Sequence, residues 1–139
     1  MKILSEDRLS FIEITFIDSE TERMPSIKVS VNVQNDGFAG VLNSTWIEID
    51  ELNNFLTYMD EIDIKRSGKA HLCVMSPYEF LLDFETYDKS GHIKVNYSIT
   101  KYISYPPFRE LSLHGGFEID SSEFSAIIKS FRALKGGRN

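Results

Sequence analysis

The sequence predicts an α+β fold: a largely antiparallel, curved sheet of about seven strands with two amphipathic helices covering its apolar surface. Three observations carry this. Residues 27–34, IKVSVNVQ, alternate strictly, with Ile27, Val29, Val31 and Val33 on one side and Lys28, Ser30, Asn32 and Gln34 on the other. That two-residue period marks a strand with one buried and one wet face. Leu52, Phe55, Leu56, Met59 and Ile62, and later Phe124, Ile127, Ile128, Phe131 and Leu134, recur at helical spacing and form two apolar stripes. Asp36-Gly37 follows the alternating stretch, and that dipeptide tolerates the positive φ angles of a two-residue hairpin turn.

The elements follow in order. FIEITFID (Phe11 to Asp18) is a strand with Ile12, Ile14 and Phe16 on one face, and a polar loop separates it from the alternating strand. After the Asn35–Gly37 turn, Phe38 begins a return strand running toward Ile49, with a bulge expected near Gly40. The first helix follows, with Asp50 placed as its N-cap and Glu51 in its first turn, where the dipole favours negative charge. Lys69–Ser76 and Glu79–Asp88 are strands, Lys89–Gly91 a turn, and Ile93–Ile99 a strand close to the earlier one in sequence. Tyr105-Pro106-Pro107 is extended. Arg109–Ile119 is a strand with a bulge expected at Gly115-Gly116. Asp120 and Glu123 form a capping-box-like start to the terminal helix.

Glu-Ile-Asp occurs at 48–50 and again at 118–120, each time where a strand meets a helix. This suggests a ββ-β-α pseudo-repeat of three strands and a helix, with the 69–76 strand inserted between the halves; coincidence among common β patterns is the alternative.

The 139 residues predict one domain spanning 1–139, long enough to bury a substantial core. No apolar run is long enough to span a bilayer, and the first ten residues are too short and acidic for a secretory signal. The expected location is the cytoplasm, and the single cysteine, Cys73, agrees. A net charge of −6 argues against general nucleic-acid binding and suits a basic partner.

No catalytic constellation is evident. Glu48 and Asp50 share strand parity, yet a solvated pair beside a helix start explains them better than acid–base work in a cleft. His71, His92 and His114 are scattered over three segments without metal-ligand spacing, and although His71 and Cys73 share a strand face, two ligands make no site. Cys73 lies in an apolar strand, where a cysteine serves as a small hydrophobe. The glycines match no phosphate-binding loop. Neither a cofactor nor a metal is expected, and the protein is not expected to be an enzyme. The stretch KYISYPPF places Tyr102, Tyr105 and Phe108 beside two prolines, where aromatics either anchor a partner or cap the end of the core.

GFAG after the alternating strand, WIEIDELNNFL entering the first helix, DKSGHIKV at the second hairpin and FEIDSSEF opening the last helix occur in an order that resembles the WapI family of immunity proteins. The resemblance covers about residues 8 to 134. It implies a non-enzymatic antidote that binds and blocks the C-terminal toxic domain of a wall-associated bacterial toxin, in some cases a domain that cleaves tRNA. It transfers no binding residues, because immunity surfaces diverge with their toxins. The sequence offers its own candidates. A helical projection puts Asn53, Asn54, Thr57, Asp60 and Glu61 opposite the first apolar stripe, and with Glu51 and Asp63 this is the most acidic helix surface in the chain. The terminal helix carries Lys129, Arg132 and Lys135 instead. Glu51, Asn54, Asp60, Glu61 and Asp63 are therefore the expected partner-binding residues, with Tyr102 and Tyr105 as the second candidate surface. The competing functions are a ligand-binding or enzymatic domain with a site built from distant residues, and a structural adaptor using the aromatic stretch.

Overall fold

A computed structural model describes residues 1–139. In chain order it contains β1 (Lys2–Leu4), β2 (Phe11–Glu20), β3 (Ser26–Asn35), β4 (Phe38–Glu48), α1 (Ile49–Lys65), β5 (Lys69–Cys73), β6 (Phe80–Thr86), β7 (Ile93–Ile103), β8 (Arg109–Ile119) and α2 (Phe124–Lys135). The class is α+β, but the strands form two four-stranded antiparallel sheets, ordered β1-β2-β3-β4 and β5-β6-β7-β8. Each sheet is a meander whose last strand leads to a helix. The strand at 69–76 is thus the first strand of the second unit rather than an insertion. Its counterpart, β1, is too short to show a period; only its pairing with β2 and the full burial of Ile3 reveal it.

The alternation in β3 survives unchanged: Ile27, Val29, Val31 and Val33 are all buried. Asp36 and Gly37 both take positive φ (51° and 86°), so the turn after it is the hairpin type that Asp-Gly favours. Both helical stripes are buried in full. Inner faces of both sheets and both stripes join one apolar cluster. Its centre is aromatic: Phe131 of α2 stands edge-on to Phe55 of α1 with centroids 5.0 Å apart, and Phe84 of β6 meets Phe124 at 5.9 Å. Phe55 joins the two halves through its contacts with Phe84 and Phe131, while the Phe84 contacts with Phe124 and Phe131 lie within the second half.

Three local expectations change. The bulge in β4 lies at Asn43–Ser44, not Gly40: Val29 pairs with Thr45 but Val31 pairs with Leu42, which leaves one extra residue in β4. The inward parity therefore switches from Leu42 to Thr45 and Ile47, all buried. Gly40 instead permits close packing, since a Cβ there would lie 2.9 Å from the Ile99 side chain of the other sheet. Gly115 and Gly116 form no bulge either; the β7–β8 register runs unbroken from Ile93↔Ile119 to Ile103↔Arg109. A Cβ on Gly115 would lie 2.9 Å from the Tyr97 hydroxyl and from the Asn35 amide, and one on Gly116 would lie 2.5 Å from the Val95 carbonyl oxygen.

Asp50 is not the cap of α1. Glu48 occupies that position without a side-chain bond, and the Ile49 N–H donates instead to the Pro25 carbonyl at 2.9 Å. Asp50 falls in the first turn, beside Glu51. Asp120 does cap: its carboxylate accepts from the Ser122 N–H at 2.9 Å and the Ser122 hydroxyl at 2.7 Å, starting a 3-10 turn at Ser121–Glu123 that runs into α2. The box stays open because Glu123 accepts from Arg8 at 2.9 Å rather than returning to Asp120.

Candidate partner-binding surface

β6 accompanies β7 only as far as the Phe80↔Ile99 pair. Beyond it β7 and β8 continue together from Thr100↔Ser112 to Ile103↔Arg109, as a two-stranded ribbon. Ser104 to Phe108 close its tip. The local alternation is sound, but no third strand pairs with the ribbon, and its aromatics face solvent. Tyr102 is 59% exposed, Tyr105 61% and Phe108 72%. They do not cap the core, which was the alternative for this stretch. Tyr102 is a strand residue opposite Glu110, not a loop residue, and the Arg109 guanidinium lies 5.8 Å from the Tyr105 ring centre. Leu111, also exposed, extends the apolar surface along β8. A depression of about 450 Å³ lies at the root of the ribbon, lined in part by Ser44, Ser76, Lys101 and Tyr102.

The acidic surface of α1 divides in two. Arg132 of α2 donates to Asp60 at 2.5 Å, Lys135 to the Asn53 side-chain oxygen at 3.0 Å, and Ser125 to Asp63 at 3.0 Å, with Arg66 also 3.6 Å from Asp63. The opposite charges of the two helices thus meet as a polar seam along their contact. Glu51, Asn54 and Glu61 stand outside that seam and are exposed, as is Tyr58 beside them, which the helical projection left unremarked.

The scattered histidines have local roles. His71 and Cys73 do share the outer face of β5, and pairing with β6 brings Asp83 opposite His71. Asp83 contacts the His71 Nδ1, the Cys73 sulfur lies 2.9 Å from His71 Nε2, and Lys69 approaches Asp83 at 3.7 Å. Asp83 was invisible to sequence spacing because it comes from the neighbouring strand. Nucleophile, base and orienting carboxylate are all present, but the electrostatics oppose thiolate chemistry. Desolvation, then the carboxylates of Glu51 and Asp83, push the Cys73 thiol up. A thiol raised above its ordinary value stays protonated at neutral pH. His92 closes the β6–β7 turn against Asp88 at 2.5 Å. The hydrogen bond and charge of Asp88 hold His92 up, and His92 holds Asp88 down. No three His, Cys, Asp or Glu side chains converge as metal ligands.

A second depression, also about 450 Å³, gathers Glu6, Asp7, Asp36 and Glu118 from the β1–β2 loop, the β3–β4 turn and β8. Asp7 is lowered by bonds from the Ser5 hydroxyl (2.6 Å) and the Leu9 N–H (3.0 Å). Nearby, hydrogen bonding to Glu118 is the main cause that pushes the Tyr87 phenol up to about 12. Three separate segments build this acidic cleft, so no sequence motif announces it.

No helix is long and apolar enough to cross a membrane. A family model described as the immunity protein WapI-like family matches residues 2–134. No curated protein and no solved structure matches the chain.

Proposed function

The chain belongs to the WapI-like immunity protein family, and from that premise we propose that it neutralises the C-terminal toxic domain of a cognate bacterial toxin by binding and occluding it in the cytoplasm. The family match over nearly the whole chain carries this reading. An occluding inhibitor needs a stable scaffold and a complementary surface, not a reactive group. A shared aromatic core can supply the first, and the protonated Cys73 fits the absence of a catalytic role. Residues 1–139 act as one domain in this scheme.

The toxic domain is basic, as suits a nuclease that holds phosphates, for example one that cleaves tRNA. The acidic protein steers it by charge. Within the contact, Tyr102 and Tyr105 on the ribbon are the anchors, since exposed aromatics on a projecting ribbon lose apolar surface on binding at little cost in side-chain freedom. Glu51, Asn54 and Glu61 on α1 contribute polar contacts and steering. Asp60 and Asp63 add to the field but are held by α2. The protein binds neither nucleic acid nor membrane.

Co-expression with the toxic domain, together with calorimetric titration of the two purified partners, tests this. Wild type is expected to protect cells and to bind one toxic domain tightly; Tyr102→Ala with Tyr105→Ala is expected to weaken binding by about a hundredfold, as loss of two anchors at about 1–2 kcal/mol each would. A wild-type protein that protects without any measurable complex would sink the occlusion mechanism. Full affinity in the double variant would remove the ribbon from the contact.

A further inference from the structure

β8 is the last strand of its sheet, so one of its edges has no neighbouring strand. Hydrogen bonds identify which residues face that edge. The Gly116 carbonyl accepts from the Asn35 side-chain amide at 3.3 Å, and the Glu118 carbonyl from the Glu6 N–H at 2.8 Å. Thr100, opposite Ser112, sends its own N–H the other way, to the Glu79 carbonyl at 3.0 Å. Thr100 and Ser112 are thus a pair whose main-chain groups point apart. Even-numbered residues of β8 consequently direct both N–H and C=O outward. The carbonyls of Glu118 and Gly116 are engaged by the protein itself. The outward groups of Glu110, Ser112 and His114 have no protein partner. Proline or a bulge would ordinarily blunt such an edge, and neither lies within Arg109–Gly115, although the β3–β4 hairpin lies alongside with Gly40 against the Leu113 side chain.

The open stretch is symmetric. It begins where the strand begins, at Arg109, and ends where Asn35 occupies Gly116, so its centre is Ser112. We propose that β8 pairs antiparallel with β8 of a second copy of this chain, about a twofold axis at Ser112, joining two four-stranded sheets into one. An isologous contact must satisfy itself residue by residue, and this register does. Ser112 faces Ser112 of the second copy, Leu111 faces Leu113, Glu110 faces His114, and Arg109 faces Gly115, where no side chain competes for space. No like charges meet. Three pairs of outward residues exchange about six main-chain hydrogen bonds. Leu111, 52% exposed in one copy, gains an apolar neighbour. The ribbon tips, including Tyr105, lie outside the paired stretch and point in opposite directions. Pairing along one edge buries less than a large interface, so the dimer should be reversible and in the micromolar range.

Sedimentation velocity of the full chain, from dilute solution to its solubility limit, tests the proposal. A dimer fraction that rises with concentration is expected. Ser112→Pro removes an N–H that serves nothing within one copy, and Leu111→Lys puts a charge at the apolar pair; each should weaken the dimer by about tenfold or more. Thermal melts in the dilute, monomeric range report whether each variant folds, and Leu111→Lys decides if the proline variant does not. A wild type that stays monomeric throughout, or a folded Leu111→Lys variant that dimerises as well as wild type, would overturn the proposal. Monomeric wild type combined with a folded Ser112→Pro variant that loses toxin binding would assign the edge to an extended segment of the toxin instead.

Discussion

Asp50 and Asp120 share a tripeptide context and differ in role because of one carbonyl. Pro25 takes the Ile49 N–H, and α1 starts two residues earlier than a cap at Asp50 would place it. Asp120 has no such competitor and bonds twice to Ser122. In chemical denaturation, Asp120→Ala should lower the midpoint clearly, while Asp50→Ala, which removes only a favourable charge near the dipole, should move it much less. Equal shifts would mean that the capping geometry is unimportant. His92 and Asp88 give a pH-dependent residue pair. His92 is raised, so its contribution is complete below the ordinary histidine value and is lost as pH rises through its higher folded value. Asp88 is lowered, so its contribution is present above the ordinary carboxylate value and is lost as pH falls through its folded value. Proton NMR titration should find His92 titrating above free histidine, and Asp88→Asn should bring it back. No change on that substitution would remove Asp88 as the cause.

At the scale of elements, side chains that look free along one helix or strand are often committed to the next. Asp60 belongs to the seam with Arg132, although the α1 pattern alone makes it part of a solvated acidic face. A double-mutant cycle on Asp60→Ala and Arg132→Ala should return a coupling of about 0.2–1 kcal/mol, since both side chains are nearly half exposed. Zero coupling would free Asp60 for the partner. In β8, Gly116→Ala forces a methyl to within 2.5 Å of the Val95 carbonyl oxygen, so strand or carbonyl must shift. A cost of about 1–3 kcal/mol is expected from the denaturation midpoint.

On the scale of the whole molecule, one apolar cluster links both sheets and both helices. Phe131→Ala in α2 should cost about 3–5 kcal/mol. The fluorescence of Trp46, on β4, should then lose its structure at the same denaturant concentration as the far-UV circular dichroism. Separate midpoints would show two independently stable halves. Net charge −6 acts at this scale too. Glu51→Lys with Glu61→Lys should slow association with a basic toxic domain, most at low ionic strength where the screening length is greatest. Unlike Asp60, neither residue takes part in the seam between the helices. An association rate equal to wild type at low and high salt would exclude α1 from steering.

Local periodicity by itself determined which side of β3, α1 and α2 is buried, where Asp36-Gly37 turns the chain, and that the class is α+β. These depend on a residue's own neighbours: side-chain direction follows from backbone period, and positive φ from residue type. The same information placed two helices after strands bearing Glu-Ile-Asp. It placed the Asp120 cap correctly but not the start of α1, because Pro25, distant from Ile49 in sequence, comes beside it only once β3 pairs with β4. Tertiary structure alone decided that two sheets form rather than one, that Asp83 joins His71 and Cys73, and that α2 neutralises part of α1. It also decided that Tyr102 and Tyr105 stand clear of the core and that Glu110, Ser112 and His114 keep an open edge. Each of these is a question of which segment arrives next to which. That is settled by packing one shared core around Phe55, Phe84 and Phe131, and no period along the chain records it.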